Sequence, residues 1–405
     1  MGQYISREIE DVIIQSSKQF PAIALTGPRQ SGKTTLLRHL FQDTHKFVSF
    51  DDPLTRERAL TDPKLFLDSY GSSVILDEIQ YVPELLSYIK IAIDQDRHKN
   101  GRFLLTGSQQ FHLIKDLGDS LAGRIALLNL LPFDIKEKQR SKIVSDILVD
   151  TKSYFVHACL NGSFPELVLH PQQNVDLWYG SYLQTYLERD VRNLANVGDL
   201  RIFQRFIRLL AARCAQILNL TSFANELGVS VNTIKRWISI LEASQIIFLL
   251  PPYYRNLGKR IVKSPKVYFL DAGLVCYLTG IQTENHLFNG PMAGQLFENF
   301  VIQEIVKFYY NNGKRTNIYY LRTHNQLEID LIIEKHAEIY PIEIKLSKTL
   351  NIGMANPIER FMKLFPTLKI QAGTIISLAD ETTPLSRHAV ALSLESFLKK
   401  LRDLI

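Results

Sequence analysis

The sequence predicts an α/β chain in which a parallel sheet forms the first domain and a smaller α/β domain ends the chain. Residues 1–135 alternate short apolar runs with helical stretches, which is typical of α/β domains. Within this region an apolar run at residues 22–25 leads into a glycine-rich loop, and a helical pattern at residues 36–41 follows. A second alternation of strands and helices begins near residue 285. The sequence thus predicts two α/β domains with mainly helical segments between them.

The composition is that of an ordinary globular protein of two or three domains. The 405 residues are 46% hydrophobic and 22% charged, with a formal net charge of +6. This mild positive excess allows contact with nucleic acid without requiring it. Three scattered cysteines argue against a disulfide framework and against a cysteine-based zinc site. We recognise neither a signal peptide nor an apolar run of about 20 residues, so we expect a cytoplasmic protein with no membrane partner.

The glycine-rich loop fits the phosphate-binding pattern G-x-x-x-x-G-K-[ST]. Its backbone N–H groups and the start of the following helix both favour a bound phosphate. Lys33 is expected to reach the β- and γ-phosphates of a nucleotide, and the Thr34 hydroxyl to bind Mg²⁺. An exposed lysine in an ordinary glycine turn is the alternative. The expected nucleotide-binding residues are Gly27, Pro28, Arg29, Gln30, Ser31, Gly32, Lys33, Thr34 and Thr35.

An apolar run that ends in two acids follows this loop along the chain, at residues 74–78. Apolar strands often end in acids, but after a phosphate-binding loop this pattern predicts a Walker B strand. Asp77 would then hold the Mg²⁺, directly or through water, and Glu78 would orient and polarise the attacking water as the catalytic residue. The two motifs together predict a P-loop enzyme that binds ATP and hydrolyses it.

The next segments resemble the AAA+ family of ATPases. An apolar run at residues 103–105 is followed by Thr106 and Ser108, and in that family a polar side chain here senses the γ-phosphate. Ordinary turn chemistry is the alternative. Arg124 precedes an expected strand at residues 125–130, where AAA+ proteins commonly hold a catalytic arginine finger that acts on a neighbouring subunit. That role would imply a homo-oligomer, and a surface or capping arginine is the alternative.

Shared motifs narrow the resemblance to one group of prokaryotic AAA+ ATPases with a C-terminal domain of unknown function. They are Phe-Asp-Asp-Pro at residues 50–53, Asp-Glu-Ile-Gln at 77–80 and Leu-Thr-Gly-Ser at 105–108. The resemblance covers nearly the whole chain. It also implies a lid arginine near the nucleotide, for which Arg189 and Arg192 are candidates; a salt-bridged helix surface accounts for them equally well.

Residues 201–280 show the spacing of a winged helix-turn-helix, after a helical lid or linker at residues 136–200. Helical patterns at 220–227 and 231–242 flank a glycine turn, and Ser230 is a plausible N-cap. Two apolar runs then flank a basic loop. In the functional interpretation the second helix and the loop contact DNA, whereas the alternative is a protein–protein module. The candidate DNA contacts are Asn232, Lys235, Arg236, Arg255, Lys259, Arg260 and Lys263.

Residues 285–405, after a linker-like stretch near 280–294, place acids on a helix and on two predicted strands. Glu298 lies on the helix, Asp330 on one strand, and Glu343 with Lys345 on the next, where a period of two puts them on the same face. This order resembles the PD-(D/E)xK nuclease superfamily, with Ile329 in place of the proline. A run of surface charges on an exposed strand is the alternative.

The nuclease resemblance implies a restriction-endonuclease-like fold with a divalent cation, Mg²⁺ or Mn²⁺, held by Glu298, Asp330 and Glu343. Lys345 would stabilise or activate the attacking water as a catalytic residue. The sequence does not decide whether this domain cleaves DNA. We expect an ATP-hydrolysing protein that acts on DNA. The alternative is a nucleotide-controlled switch or assembly protein that uses its other domains for partner binding.

Overall fold

A five-stranded sheet with parallel pairing throughout forms the N-terminal part of the protein. The computed structural model describes residues 4–71, 73–107, 121–186, 200–253, 262–324 and 326–404. The strands are β1 (Ala22–Thr26), β2 (Lys46–Ser49), β3 (Val74–Asp77), β4 (Phe103–Gly107) and β5 (Ile125–Asn129). They lie in the order β2-β3-β4-β1-β5, so the predicted parallel sheet is confirmed and β1 lies between β4 and β5.

Helices cover this sheet, which explains why its inner strands are buried along their whole length. The helices are α1 (Glu10–Gln19), α2 (Lys33–Phe41), α3 (Pro53–Thr61), α4 (Pro63–Tyr70) and α5 (Leu85–Gln95). All five residues of β1 are buried, as in parallel sheets that are covered on both faces. Asp52 caps α3 by accepting the N–H groups of Leu54 and Thr55, so one acid of the 50–53 motif begins a helix.

The middle part is helical, as its sequence predicts. Its helices are α6 (Ile135–Gln139), α7 (Thr151–Leu160), α8 (Pro165–Leu169), α9 (Val175–Tyr186) and α10 (Leu200–Ala211). Asp134 and Asp150 cap α6 and α7 through the N–H groups three residues further on.

Two helices and a hairpin follow at the position of the predicted winged helix. They are α11 (Leu220–Leu227), α12 (Val231–Ala243), β6 (Ile247–Leu250) and β7 (Lys266–Phe269). Gly228 ends α11 at φ +66°, and the Ser230 side chain accepts the N–H of Thr233 at the start of α12. Strands β6 and β7 pair antiparallel. The base of the hairpin also joins the C-terminal sheet, because the N–H of Tyr253 donates to the Tyr320 carbonyl at 2.8 Å.

The expected linker near residues 280–294 is wrong, because this stretch contains a capped helix. Helices α13 (Ala272–Thr279) and α14 (Glu284–Asn289) lead directly into the long helix α15 (Ala293–Asn311). Thr283 caps α14 by accepting the N–H of His286. Polar residues in the segment therefore mark a helix start and not a flexible connection.

A seven-stranded mixed sheet forms the C-terminal part. Its elements are β8 (Ile318–Arg322), β9 (Glu328–Lys335), β10 (Glu338–Lys345), α16 (Asn356–Leu364), β11 (Lys369–Ile370), β12 (Gly373–Ser377), β13 (Thr383–Ser386), β14 (Ala389–Ser393) and α17 (Leu394–Leu404). The order is β13-β14-β12-β10-β9-β8, with β11 beside β10. The two strands predicted to carry Asp330 and Glu343 with Lys345 are therefore present, as β9 and β10.

A single hydrophobic core joins the middle and C-terminal parts. It contains Phe155 of α7, Phe206 of α10, Phe300 of α15 and Leu401 of α17, all buried. Helix α15 is buried along most of its length, which explains why it carries so many apolar residues. None of the helices in the described ranges is long and apolar enough to cross a lipid bilayer.

Candidate functional site

The phosphate-binding loop connects β1 to α2, at the carboxyl edge of the parallel sheet. A side chain at Gly27 is excluded, because a Cβ atom there would lie 2.1 Å from the carbonyl oxygen of Leu130. Gly32 adopts φ +95°, which side chains rarely allow. Two of the motif's glycines are thus required by the backbone itself.

Lys33 begins α2 and is almost fully buried. Its Nζ donates to the carbonyl oxygens of Gly27 and Pro28 at 3.0 and 2.9 Å. These contacts hold the ammonium group over the loop, where it can meet a phosphate.

Four residues from the loop helix and two strands form a hydrogen-bonded network behind the loop. Asp77 Oδ1 accepts from Thr34 Oγ1 at 2.6 Å and from Thr106 Oγ1 at 2.7 Å. The backbone N–H of Glu78 donates to the same Thr106 hydroxyl at 3.0 Å. The adjacent hydroxyl and carboxylate of Thr34 and Asp77 are hard oxygen donors that fit Mg²⁺. Two residues are predicted candidates for the sensor of the γ-phosphate. Thr106 is described and belongs to this network, whereas Ser108 lies outside the described residues.

Glu78 lies in a cavity of about 400 Å³ that Lys33 and Thr34 also line. Its backbone takes φ 57°, an uncommon conformation for a residue other than glycine. Its carboxylate accepts a hydrogen bond from Gln80. Such strained backbone occurs preferentially at functional sites, and here it turns the residue toward the phosphate loop.

A second cavity, of about 770 Å³, adjoins the loop on the side of the middle helices. The two cavities share Gln30, Gly32, Thr35, Tyr182 and Thr185. Its volume is within the range of small-molecule sites. Its wall includes several side chains that the sequence-based prediction did not include, namely Tyr4, Ile5, Phe133, Pro165, His170 and Trp178. The available sequence signal was the aromatic cluster of α9, in which Trp178 and Tyr182 stack at 5.2 Å.

Arg7 anchors the N-terminal segment between the loop and α6, which the sequence did not indicate. Its guanidinium donates to the Ser31 carbonyl at 2.8 Å and to the Leu131 carbonyl at 2.7 Å. It also pairs with the fully buried Glu137 at 2.9 Å. The ring of Phe133 lies 4.8 Å below it. One buried arginine therefore fixes the wall of the larger cavity to the backbone of the phosphate loop.

Arg124 is bound within its own chain to Asp94 of α5. Its Nε and terminal nitrogen lie 2.8 and 3.1 Å from the two carboxylate oxygens. The Arg124 guanidinium keeps the pKa of the Asp94 carboxyl below its usual range. Both side chains are partly exposed, so the pair lies at the surface.

The predicted DNA-contacting residues are only partly described. Asn232, Lys235 and Arg236 lie on the exposed side of α12, whereas Ile234, Ile238 and Leu241 face the core. Lys263 is also described and is exposed, whereas Arg255, Lys259 and Arg260 lie outside the described residues. The two candidates for a lid arginine, Arg189 and Arg192, lie outside them as well.

Two acids and a lysine meet at the ends of β9 and β10. Lys345 Nζ lies 3.1 Å from Asp330 Oδ2 and 2.6 Å from Glu343 Oε2. Asp330 also accepts the N–H of Ile344 at 2.9 Å. Because both carboxylates contact one nitrogen, they are closer than the ~8 Å beyond which they could not share an ion. The predicted juxtaposition of these three side chains is present.

Glu343 is buried, and its Oε1 has no hydrogen-bond partner among the described residues. Burial and the neighbouring Asp330 carboxylate raise the pKa of Glu343 to about 8, against the opposing effect of Lys345. Burial alone would lower the pKa of Lys345, but Asp330 and Glu343 raise it.

Glu298 departs from its predicted role as a third ligand. Its Oε1 accepts from Lys266 Nζ at 3.0 Å and from the Tyr268 hydroxyl at 2.6 Å, so it already has a cationic partner. In the described part of the chain, no group of three or more acidic, histidine or cysteine side chains is arranged to hold a metal ion. The residues therefore do not fit the predicted three-carboxylate cation site, because a lysine from β7 is bound to one of its members.

Comparison with known proteins gives matches for three parts of the chain. A family described as an AAA domain matches residues 19–138. Two domains of unknown function, DUF8612 and DUF4143, match residues 152–285 and 293–397. An uncharacterized protein of Mycobacterium tuberculosis is 29% identical over 381 residues, covering 93% of this chain and 81% of that protein. An uncharacterized protein of Methanocaldococcus jannaschii is 22% identical over 395 residues, covering 91% and 83%.

Among solved structures, the Walker-type ATPase PABY2304 of Pyrococcus abyssi is 16% identical with a TM-score of 0.46, covering 68% of this chain and 96% of that one. The match of residues 19–138 to an AAA domain agrees with the P-loop, the parallel sheet and the Asp77 network. The chain therefore carries an AAA-type ATPase domain in its N-terminal part and a domain of unknown function at its C-terminal end.

Proposed function

We propose that this protein hydrolyses ATP with Mg²⁺ and uses the nucleotide cycle to act on DNA through its middle and C-terminal domains. The observation that carries the ATPase proposal is the network in which Thr34 and Thr106 both donate to Asp77 while Glu78 is tied to Thr106. In this proposal Thr34 and Asp77 are the cation-binding pair, and Glu78 is the acid that orients the water.

Each group of the site has a separate task in this proposal. Lys33 neutralises the β- and γ-phosphates, and the loop N–H groups hold their oxygen atoms. Thr34 and Asp77 would hold Mg²⁺, which supplies charge stabilisation to the transferring phosphoryl group. Glu78 orients and polarises the attacking water, and Thr106 keeps both acids in place.

The larger cavity is the place for the nucleoside. It continues from the phosphate cavity through shared residues, and aromatic side chains of α9 line it. Trp178 offers an apolar face on which a base can stack. We further propose that Arg124 acts in trans, leaving Asp94 when a second copy supplies the nucleotide, so that the working form is a homo-oligomer.

DNA is the proposed partner because three features favour a polyanion. The α11–α12 pair has helix-turn-helix spacing, and Lys235 and Arg236 lie on the exposed side of its second helix. The proposed winged-helix domain (201–280) is continuous with the proposed nuclease-like domain (285–405) through the base of its hairpin. A basic hairpin loop would add phosphate contacts.

The experiment measures ATP turnover with Mg²⁺ in the absence and presence of single- and double-stranded DNA. Stimulation by DNA that is lost in a Lys235→Ala/Arg236→Ala variant supports the proposal. Turnover that DNA leaves unchanged favours the second candidate, a nucleotide-controlled switch with a non-catalytic nuclease-like domain. The pairing of Glu298 with Lys266 favours that second candidate, since it removes one predicted cation ligand.

A further inference from the structure

Every carboxylate at the C-terminal acidic site is already paired with a positive side chain of the protein. This acidic site consists of Glu298, Glu328, Asp330 and Glu343. Lys266 Nζ lies 3.0 Å from Glu298 Oε1 and 2.8 Å from Glu328 Oε1. Lys345 binds Asp330 and Glu343. The two lysines together carry the charge of one divalent cation.

Lys266 is unusual in being almost fully buried, with 3% of its surface exposed. Lysine is rarely buried to this extent unless it is paired, because its charge must leave water. Its ammonium group lies within salt-bridge distance of two carboxylates, Glu298 and Glu328. These two contacts make Lys266 the counter-ion of the acidic site.

The position of Lys266 in the fold makes this pairing specific. It is the first residue of β7, the second strand of the hairpin that follows α12. Tyr268, two residues later on the same strand, adds its hydroxyl to Glu298. A strand of the proposed winged-helix domain thus supplies both groups that bind the acid of α15.

We propose that Lys266 takes the place of a divalent cation at the acidic site and keeps metal out of the folded protein. This inference rests on the proposed nuclease-like fold, and it makes the C-terminal domain a metal-free binding domain. Glu343 Oε1 is buried without a partner among the described residues, so it is an oxygen atom that could bind a cation once the charge of Lys266 is removed. Removing the Lys266 charge should therefore create a cation site that the natural sequence lacks.

Isothermal titration of Mn²⁺ into the nucleotide-free full chain tests this inference. All proteins carry Asp77→Asn, so that the cation site of the ATPase part does not contribute heat. The variants are Lys266→Met, Lys266→Met with Asp330→Asn, and Lys314→Met. The last is the matched control, because Lys314 is an exposed lysine of the same domain.

We expect no Mn²⁺ binding that depends on Asp330 in the parent protein, which carries Asp77→Asn alone, or in the Lys314→Met control. Lys266→Met should gain one Mn²⁺ per chain and lose it again when Asp330→Asn is added. Binding by the parent that Asp330→Asn removes would overturn the inference. A folded Lys266→Met protein that gains no Mn²⁺ would also overturn it.

Circular dichroism shows whether Lys266→Met folds. If it does not fold, Mn²⁺ soaked into crystals of the parent decides, by anomalous scattering. An anomalous peak from Mn²⁺ next to Asp330, Glu343 or Glu298 overturns the inference. The absence of such a peak at those side chains supports it. DNA-stimulated ATP turnover of the unsubstituted protein tests the proposed function separately, so the two failures are distinguishable.

Discussion

The Thr106 hydroxyl lies 2.7 Å from Asp77 Oδ1 and also accepts the backbone N–H of Glu78 at 3.0 Å. One side chain of β4 therefore positions both acids at the end of β3. Thr106→Val keeps the shape and removes the hydroxyl, so Asp77 keeps only its hydrogen bond from Thr34 at Oδ1 and the Glu78 N–H loses its acceptor. Because both acids then lose part of their positioning, we expect the activation free energy to rise by about 1.4 kcal/mol or more, which is a roughly tenfold or greater fall in ATP turnover.

Steady-state ATPase assays with parallel nucleotide-binding measurements check this prediction. Thr106→Ser retains the hydroxyl and should keep most of the turnover. Wild-type turnover in Thr106→Val would show that the hydroxyl has no part in positioning Asp77 or Glu78.

The larger cavity should report nucleotide binding through Trp178. The chain has 2 tryptophans, so Trp237→Phe leaves Trp178 as the single tryptophan, whose emission can be excited selectively at roughly 295 nm, beyond tyrosine absorption. ADP stacked beside it should change its emission, because Trp178 lines the cavity and packs on Tyr182. Calorimetry establishes the ADP concentration that saturates the protein. If the emission of Trp178 is unchanged at that concentration, the base binds elsewhere. Trp178→Phe serves as the control for signals from Trp237.

Arg124 should contribute to hydrolysis across a subunit interface. Arg124→Ala is expected to lower turnover with nucleotide affinity almost unchanged. Mixing it with Lys33→Ala subunits should restore part of the activity, since an intact loop then meets an intact arginine. Asp94→Ala is the matched control, because it breaks the same surface pair and leaves the arginine in place. Equal losses in both variants, without recovery on proven co-assembly, would assign Arg124 a structural role.

The raised pKa of Glu343 predicts how stability changes with pH. Because its pKa is raised to about 8, the folded protein holds this proton at pH values where the unfolded chain has lost it. The resulting stabilisation is complete below the unfolded pKa, and it is lost as the pH rises toward and through about 8. Between pH 6 and pH 9, the melting temperature of the Glu343→Gln variant should change by a few °C less than that of the wild-type protein. Identical pH profiles for the two proteins would contradict the prediction.

The fold of this protein follows closely from local sequence patterns. Glycine is required at residue 27 because the carbonyl oxygen of Leu130 excludes a side chain there. The strands are apolar because helices cover both faces of the sheet and bury them. The acids of β9 and β10 could be placed together because strand period and order fix them. Such features depend on residues near one another in the chain.

The remaining features depend on tertiary contacts that no local pattern encodes. Lys266 reads as one of several basic hairpin residues, yet it is buried between Glu298 and Glu328. Arg7 lies far along the chain from its partner Glu137. The stretch near residues 280–294 looked like a linker because its polar caps resemble a loop.

The central claim is that Glu78 acts on water while the loop and Asp77 bind the nucleotide. The most direct measurement is the rate of Mg²⁺-dependent ATP hydrolysis by Glu78→Gln, with ATP affinity measured on the same protein. We predict a rate about a hundredfold or more below wild type, with ATP affinity retained, since positioned acid–base groups contribute factors of this size. Lys33→Ala should instead lose ATP binding. Hydrolysis by Glu78→Gln at the wild-type rate would contradict the account.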